Sequence, residues 1–296
     1  MTATASIPPE DLRLLEQVVS DPRFQSLSVL PRFAIPELAV LGGAYGVLAL
    51  GTWAGIAGWL PYPLVLVLST MAMFAVFTPL HDAVHRSVSS HGGFNDLVGN
   101  LAALMLMPGI TTRLYRFLHL EHHRYTGEHG KDPDDPFITA PWPRRLLLWT
   151  FLDLHWSWFY LQRRHQRPPA EVRAFVVSLG FFIAWHVAWL ASPWAVEFLL
   201  YWLVPQRLGL TLLVYLFSFI QHPADVEQRQ SPFRATRMIR GGRLMRLLLL
   251  GQSQHLMHPL FPGVPFSRYD RAGMLGRAAF RERDRQIVWQ WPLAWP

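Results

Sequence analysis

The chain has 296 residues, of which 51% are hydrophobic and only 16% charged, where soluble domains carry roughly 25% charged residues. That deficit, with 13 Trp, excludes an ordinary soluble domain, and the absence of cysteine excludes disulfides, thiolate zinc sites and a built-in iron–sulfur cluster. The net charge is +7, every basic residue but Lys131 is Arg, and these residues flank apolar segments, so an anionic membrane leaflet rather than nucleic acid is the expected partner.

No basic stretch leading into an apolar run marks a signal peptide. Pro8-Pro9-Glu10-Asp11 instead opens a short amphipathic helix that closes near Asp21-Pro22. Leu38 to Leu60 is uncharged and long enough to cross a bilayer core of about 30 Å. It contains Gly42-x-x-x-Gly46 and Gly51-x-x-x-Gly55, a spacing that suits either close helix contact or a merely flexible helix. After the turn Pro61-Tyr62-Pro63, a second span runs from Tyr62 to Leu80 and leads directly into His81, Asp82 and His85. Leu97 to Ile110 is too short to span and reads as a re-entrant or interfacial piece. Leu146 to Leu161 mixes Trp149, Trp156, Trp158 and Tyr160 with Asp153 and His155, a composition suited to the membrane surface. Val172 to Leu190 and Trp194 to Ile220 are the third and fourth spans, the latter interrupted at Pro205-Gln206-Arg207. Arg207 there either snorkels or lines a cavity. An Arg-rich amphipathic stretch, Arg237 to Arg246, is expected in the headgroup layer.

The expected fold is therefore an all-α integral membrane protein: four transmembrane helices in two hairpins, with interfacial helices and a cytoplasmic-side histidine-rich cap. Residues 1–37 form an N-terminal cytoplasmic or interfacial segment, 38–270 the membrane domain and 271–296 a cytoplasmic tail. The turns on the far side carry no Lys or Arg, which places both termini and the histidines on the cytoplasmic side of what is read as a bacterial inner membrane.

Chemistry is concentrated in histidine. His119, His122 and His123 stand at i, i+3 and i+4, one face of a helix. His81 and His85 form a second cluster, His255 and His258 a third, and His222 follows the fourth span. Imidazole is the commonest metal ligand. Eight of these on one side of a membrane exceed what a single tetrahedral ion needs and suit two metals. Asp82, Glu121, Asp132 and Asp135 stand near them, each either a partner for a ligand's second ring nitrogen or ordinary surface or turn charge. His186, mid-span, is a separate intramembrane polar group.

HDAVH (81–85), HLEHH (119–123) with the following DPDDP (132–136), and HLMHPLFPGVP (255–265) resemble the three histidine boxes of the membrane fatty acid desaturase superfamily, which includes carotenoid hydroxylases and ketolases. QHP at 221–223 resembles that family's additional histidine. The resemblance covers roughly residues 38 to 270. It implies a non-haem centre of two irons, ligated by the eight histidines, that uses O2 and two electrons to attack an unactivated C–H bond of an apolar lipid. One departure stands out: the third box ends in Pro259 where the family has a further histidine. A carboxylate, a water held by Gln254 or an open position would take its place.

The leading expectation is an O2-dependent lipid acyl-chain desaturase. A carotenoid or alkyl hydroxylase and an oxidative fatty acid decarboxylase are the alternatives within the same chemistry. A metal transporter is the alternative outside it. The chain has no nucleotide-binding fingerprint and no cysteine for a cluster, so electrons are expected from an external ferredoxin- or cytochrome-like donor.

Overall fold

A computed structural model describes residues 7–224, 226–279 and 289–291. Most of the charged, Trp-rich tail lies outside them. The chain divides into two compact units, each assembled from segments far apart in sequence.

The first, a membrane unit, comprises Arg32–Leu118 and Leu146–Val214. It holds three long apolar helices, α3 (Ile35–Ile56), α4 (Tyr62–Val84) and α10 (Pro169–Leu190), and the larger part of a fourth, α11 (Ala195–Phe219). A helix of 22 residues rises about 33 Å, enough to cross a bilayer core. Their outer faces invert the soluble pattern: Val177 is 72% exposed, Trp53 56% and Phe181 65%. Among the described residues of α10 only Phe175 is buried, so lipid is the natural solvent for this helix. Of the two small-residue pairs in α3, only the second makes a close approach. A methyl group at Gly55 would meet Val65 and the Tyr201 ring, whereas Gly42 and Gly46 face open space.

The fourth span is not broken at Pro205-Gln206-Arg207 as its sequence suggested. A π-helical turn, Leu199–Leu203, precedes the α-helical segment Val204–Leu213, which places Pro205 in a first turn where its missing N–H is tolerated. Arg207 is mostly buried and paired. It grips Asp153 bidentately, at 2.7 and 2.9 Å. Asp153 belongs to α9 (Leu152–Gln162), the second of two helices that replace the single surface stretch; the first is α8 (Trp142–Thr150). Both expose one face, with Leu147 and Trp158 outward, and bury the other, with Trp149 and Trp156 inward.

The membrane unit also fixes the end of α4. Helix α5 (Gly92–Leu106) packs so closely that a methyl group at Gly99 would strike Thr112 and Ala83. Asn95 accepts from the Val88 and Ser89 amides and donates to the Ser89 and His91 carbonyls, which ties down the loop after His85. Arg116 donates to the Ala83 and Val84 carbonyls and to Asp96, so a cation satisfies the open carbonyl end of α4. His81 and His85 occupy that last turn.

The second, a histidine unit, comprises Met1–Pro31, His119–Arg145 and Tyr215–Pro296. Its first helices are α1 (Pro9–Ser20) and α2 (Pro22–Ser28). Asp21 caps α2 by accepting from the Arg23 amide at 2.8 Å. Phe24 packs on Phe261 with ring centroids 4.5 Å apart, and Arg268 donates to the Leu27 and Val29 carbonyls. Helix α6 (Thr112–Tyr125) begins in the membrane unit and ends here. Past it, Gly127 adopts φ +79° with the Val226 carbonyl where a side chain would stand, so only glycine fits. The short helices α7 (Asp135–Thr139), α12 (Gly242–Leu248) and α13 (Met257–Leu260) lead to α14 (Tyr269–Ala279). The Arg-rich stretch includes one short strand, Met238–Ile239, paired in parallel with Trp289–Gln290, a small departure from an all-helical fold.

Candidate metal centre

Six of the eight histidines lie in the histidine unit and form one connected group. Helix α6 carries His119, His122 and His123 on the face expected from their spacing. His255 and His258 sit on the short turns around α13, and His222 follows the end of α11. The Nε2 atoms of His119, His123 and His258 converge: His119 to His123 is 3.1 Å, His119 to His258 3.2 Å and His123 to His258 2.8 Å. Three imidazole nitrogens cannot hydrogen-bond mutually around a triangle, because a ring nitrogen that carries a proton has no lone pair with which to accept. A shared cation would resolve the conflict. Metal–imidazole bonds of about 2.0–2.1 Å at right angles put neighbouring nitrogens about 3 Å apart. His122, His222 and His255 continue the group, with ring centroids 5.0 Å apart for His122–His222, 5.7 Å for His222–His255 and 5.2 Å for His255–His258. All six rings are imidazole donors without thiolate, a set suited to iron, copper, nickel or zinc.

Four of the six have a partner on Nδ1 that leaves Nε2 facing the group. His122 Nδ1 lies 2.8 Å from Asp132 Oδ1. His222 donates to the Ala235 carbonyl at 3.1 Å, and His255 Nδ1 lies 3.1 Å from Gln252 Oε1. His258 Nδ1 lies 3.0 Å from the Tyr269 hydroxyl. Such partners fix ring orientation and tautomer. Asp132 is itself held, since it accepts from the Gly127 and Asp134 amides at 3.1 and 2.9 Å. The DPDDP turn is thus both a capped turn and a histidine partner, two readings that had looked like alternatives. A second carboxylate, Asp134, stands 3.8 Å from His122. His122, Asp132 and Asp134 together present ligand atoms within 4.8 Å of one another.

Electrostatics divides the rings. Burial pushes the His122 imidazole down, but the Asp132 and Asp134 carboxylates outweigh it and raise its pKa to about 9. His222 falls to about 3, through burial first and the neighbouring His122 charge second. His222 therefore offers a lone pair at any physiological pH, while a metal at His122 must displace a proton.

Elsewhere the structure distributes the sequence candidates unevenly. His81 and His85 face each other in the membrane unit with ring centroids 5.2 Å apart, and His81 and Asp82 are fully buried, Asp82 Oδ1 lying 3.7 Å from His81 Nδ1. Glu121 pairs with Arg124, and Asp135 with the exposed His129. The acceptor on His255 is Gln252, and Gln254 Oε1 points toward Gly273. Gln252 carried a weak signal, lying three residues before His255. Tyr269 and Ala235 carried none, because only the folded chain brings them to their rings.

A family model described as fatty acid desaturase matches residues 57–291. The chain belongs to the fatty acid desaturase family. It is 29% identical over 251 residues to dihydrorhizobitoxine desaturase of Bradyrhizobium elkanii, an alignment covering 75% of this chain and 70% of that one. To sn-1 oleoyl-lipid 12-desaturase of Picosynechococcus it is 31% identical over 206 residues, 63% of this chain and 56% of the other. A β-carotene ketolase of Haematococcus lacustris is 31% identical over 122 residues, 38% of this chain and 37% of that protein. Family membership makes the chain an oxidoreductase acting on lipid acyl chains, its histidines include groups that could hold a metal, and the four long apolar helices agree with a membrane setting.

Proposed function

We propose that this desaturase-family chain holds two non-haem irons and, with O2 as co-substrate, introduces a double bond into a long acyl chain of a membrane lipid. The observation that carries the proposal is the converging Nε2 triangle of His119, His123 and His258, which suits an ion shared by three neutral imidazoles. His119, His122, His123, His222, His255 and His258 would hold the irons together with His81 and His85 of the first box. When bound, the irons would supply O2 activation for hydrogen removal from an unactivated C–H bond.

The chain's own contribution is placement and shelter. Asp132, the Ala235 carbonyl, Gln252 and Tyr269 hold Nδ1 of four rings and so aim their Nε2 lone pairs inward. Asp82 would play that part for the first box. Burial of His119, His122, His222, His255 and His258 keeps bulk water from the reacting centre. Pro259, within α13, leaves the third box one imidazole short. The Asp134 carboxylate, 3.8 Å from His122, would be one candidate donor in its place.

Electrons would come from an acidic ferredoxin- or cytochrome-like protein docking on the Arg-rich face, which would lie with both termini on the cytoplasmic side of a bacterial inner membrane. A second reading, oxygen insertion into a polyene or alkyl lipid, is favoured by the ketolase match.

The test is turnover of the iron-reconstituted protein in nanodiscs with lipid, O2 and a reducing system, followed by mass analysis of the acyl chains. Loss of two hydrogens supports desaturation. Gain of one oxygen supports the second reading. No lipid product from iron-loaded protein, with any of several acyl and polyene lipids, would sink both. Orientation is separately testable, since the chain has no cysteine background: single cysteines at Ser26 and Ser192 should label from opposite sides of the membrane.

A further inference from the structure

At one end of the membrane unit, aromatic rings from three spans converge. Trp185 and Trp189 stand one turn apart on α10, with ring centroids 5.6 Å apart. Trp189 stacks on Phe198 of α11 at 5.8 Å. Tyr201 of α11 is wedged between Gly55 of α3, where a methyl group would strike its ring, and Tyr62 of α4, whose ring meets it edge-on at 5.7 Å. With Trp194 and Trp202 these α10 and α11 rings line a cavity of about 260 Å³. Tyr62 opens α4 and His81 stands near its other end, so the cage lies roughly 28 Å along that span from the first histidine box.

One carboxylate stands in this aromatic wall. Glu197 is half-buried and lines the cavity, and it pairs with no cation among the described residues. The chain offers none nearby, since the turns at this end, Pro61–Pro63 and Ala191–Pro193, contain no Lys, Arg or His. A carboxylate in apolar surroundings is costly unless paired, and the faces of Trp and Tyr attract cations most strongly where water is excluded. Both features call for an ammonium group from outside the protein. A second cavity, of about 330 Å³, shares Trp185 and Trp202 and follows α10 past Phe182 to Ser178, toward the middle of the span, with Leu104 on its other wall. Its lining is almost wholly apolar and suits an acyl chain. Trp202 lines both cavities, and its buried Nε1–H has no acceptor among the described residues. We infer that this end of the membrane unit binds a phospholipid with an ammonium headgroup. The ammonium sits against Glu197 and the aromatic cage, a phosphate or ester oxygen accepts from Trp202, and one acyl chain fills the second cavity. This lipid is held away from the first box, and the inference does not rest on the desaturase proposal.

The probes are phosphatidylcholine and phosphatidylglycerol with identical acyl chains, one of which carries a diazirine, so that they differ only in the headgroup. Each is added in trace, at equal mole fraction, to the full chain in phosphatidylglycerol nanodiscs. Photolabelling needs neither iron nor turnover, so it can fail or succeed whatever becomes of the desaturase proposal. Labelling of the peptide holding Ser178–Trp185 is normalised to that of the lipid-exposed Leu50, which removes non-specific contact with bulk lipid. The phosphatidylcholine probe should exceed the phosphatidylglycerol probe about tenfold there, the effect of one ammonium held by a carboxylate and desolvated rings. Glu197→Gln, which keeps the shape and removes the charge, should reduce that excess about fivefold or more, and Trp189→Leu should reduce it in the same direction. Trp59→Leu removes a ring exposed at the same end that lines neither cavity, and should leave the excess unchanged. Equal labelling by both probes, or an excess that survives Glu197→Gln, would overturn the assignment. So would an excess that falls as far in Trp59→Leu as in Glu197→Gln, which would make the cage part of a general belt of interfacial tryptophans.

Discussion

At the scale of the residue, the proposed centre would depend on groups that hold its rings through Nδ1. Asp132 accepts from His122 and from two backbone amides, so its removal loosens both a ring and the loop behind it. Asp132→Ala should lower iron affinity about 10–100-fold, the usual cost of losing such a partner. Glu121→Gln and Asp135→Asn, whose carboxylates engage Arg124 and His129, should leave it unchanged. Iron per chain across a chelator-buffered series distinguishes these outcomes. Tyr269→Phe keeps the buried ring and deletes only the hydroxyl on His258, so it should fall at the low end of the same range, about tenfold, with a shifted electronic spectrum and an undisturbed fold. The ligand candidates were visible in the sequence because helical spacing alone puts His119, His122 and His123 together. Of their partners, Asp132 was a candidate in the sequence, while Gln252, the Ala235 carbonyl and Tyr269 were not, because only the folded chain brings them to their rings.

At the scale of the element, the legible and the illegible separate along the same line. Long apolar runs announced all four spans, since the cost of leaving backbone groups unpaired in lipid forces them into helices. Boundaries shifted by a few residues, and the surface stretch 146–161 resolved into parts of two helices rather than one. Pro205 misled because proline was expected to break a helix, and the π turn just before it absorbs the disruption instead. Arg207 was legible as an anomaly but not as a partner of Asp153, which lies 54 residues away. Breaking this pair from one side, by Arg207→Leu or Asp153→Leu, should destabilise the membrane unit by about 3–5 kcal/mol, because a largely buried charge is left alone. The double Leu variant should melt above either single one in detergent. Additive losses would show that the two side chains do not depend on each other.

At the scale of the whole molecule, the histidine unit has a small share of long helices and many short turns, and metal binding is well placed to stabilise it. Free iron at 100 times its dissociation constant should add about 2.7 kcal/mol to stability, and chelation should remove it. Thermal melts of iron-loaded and chelated protein measure the difference, and Asp132→Ala should shrink it. The interleaving of the two units has a further consequence, in the order of synthesis. The apolar spans are made before the third box, and each can enter the bilayer as it appears. His255, His258 and Tyr269 come only from the last stretch of chain, after every span has been translated. The triangle of nitrogens therefore cannot close before His258 has been made. On the proposed function, a ribosome stalled after the fourth span but before His258 would leave an inserted chain whose triangle of ring nitrogens is incomplete.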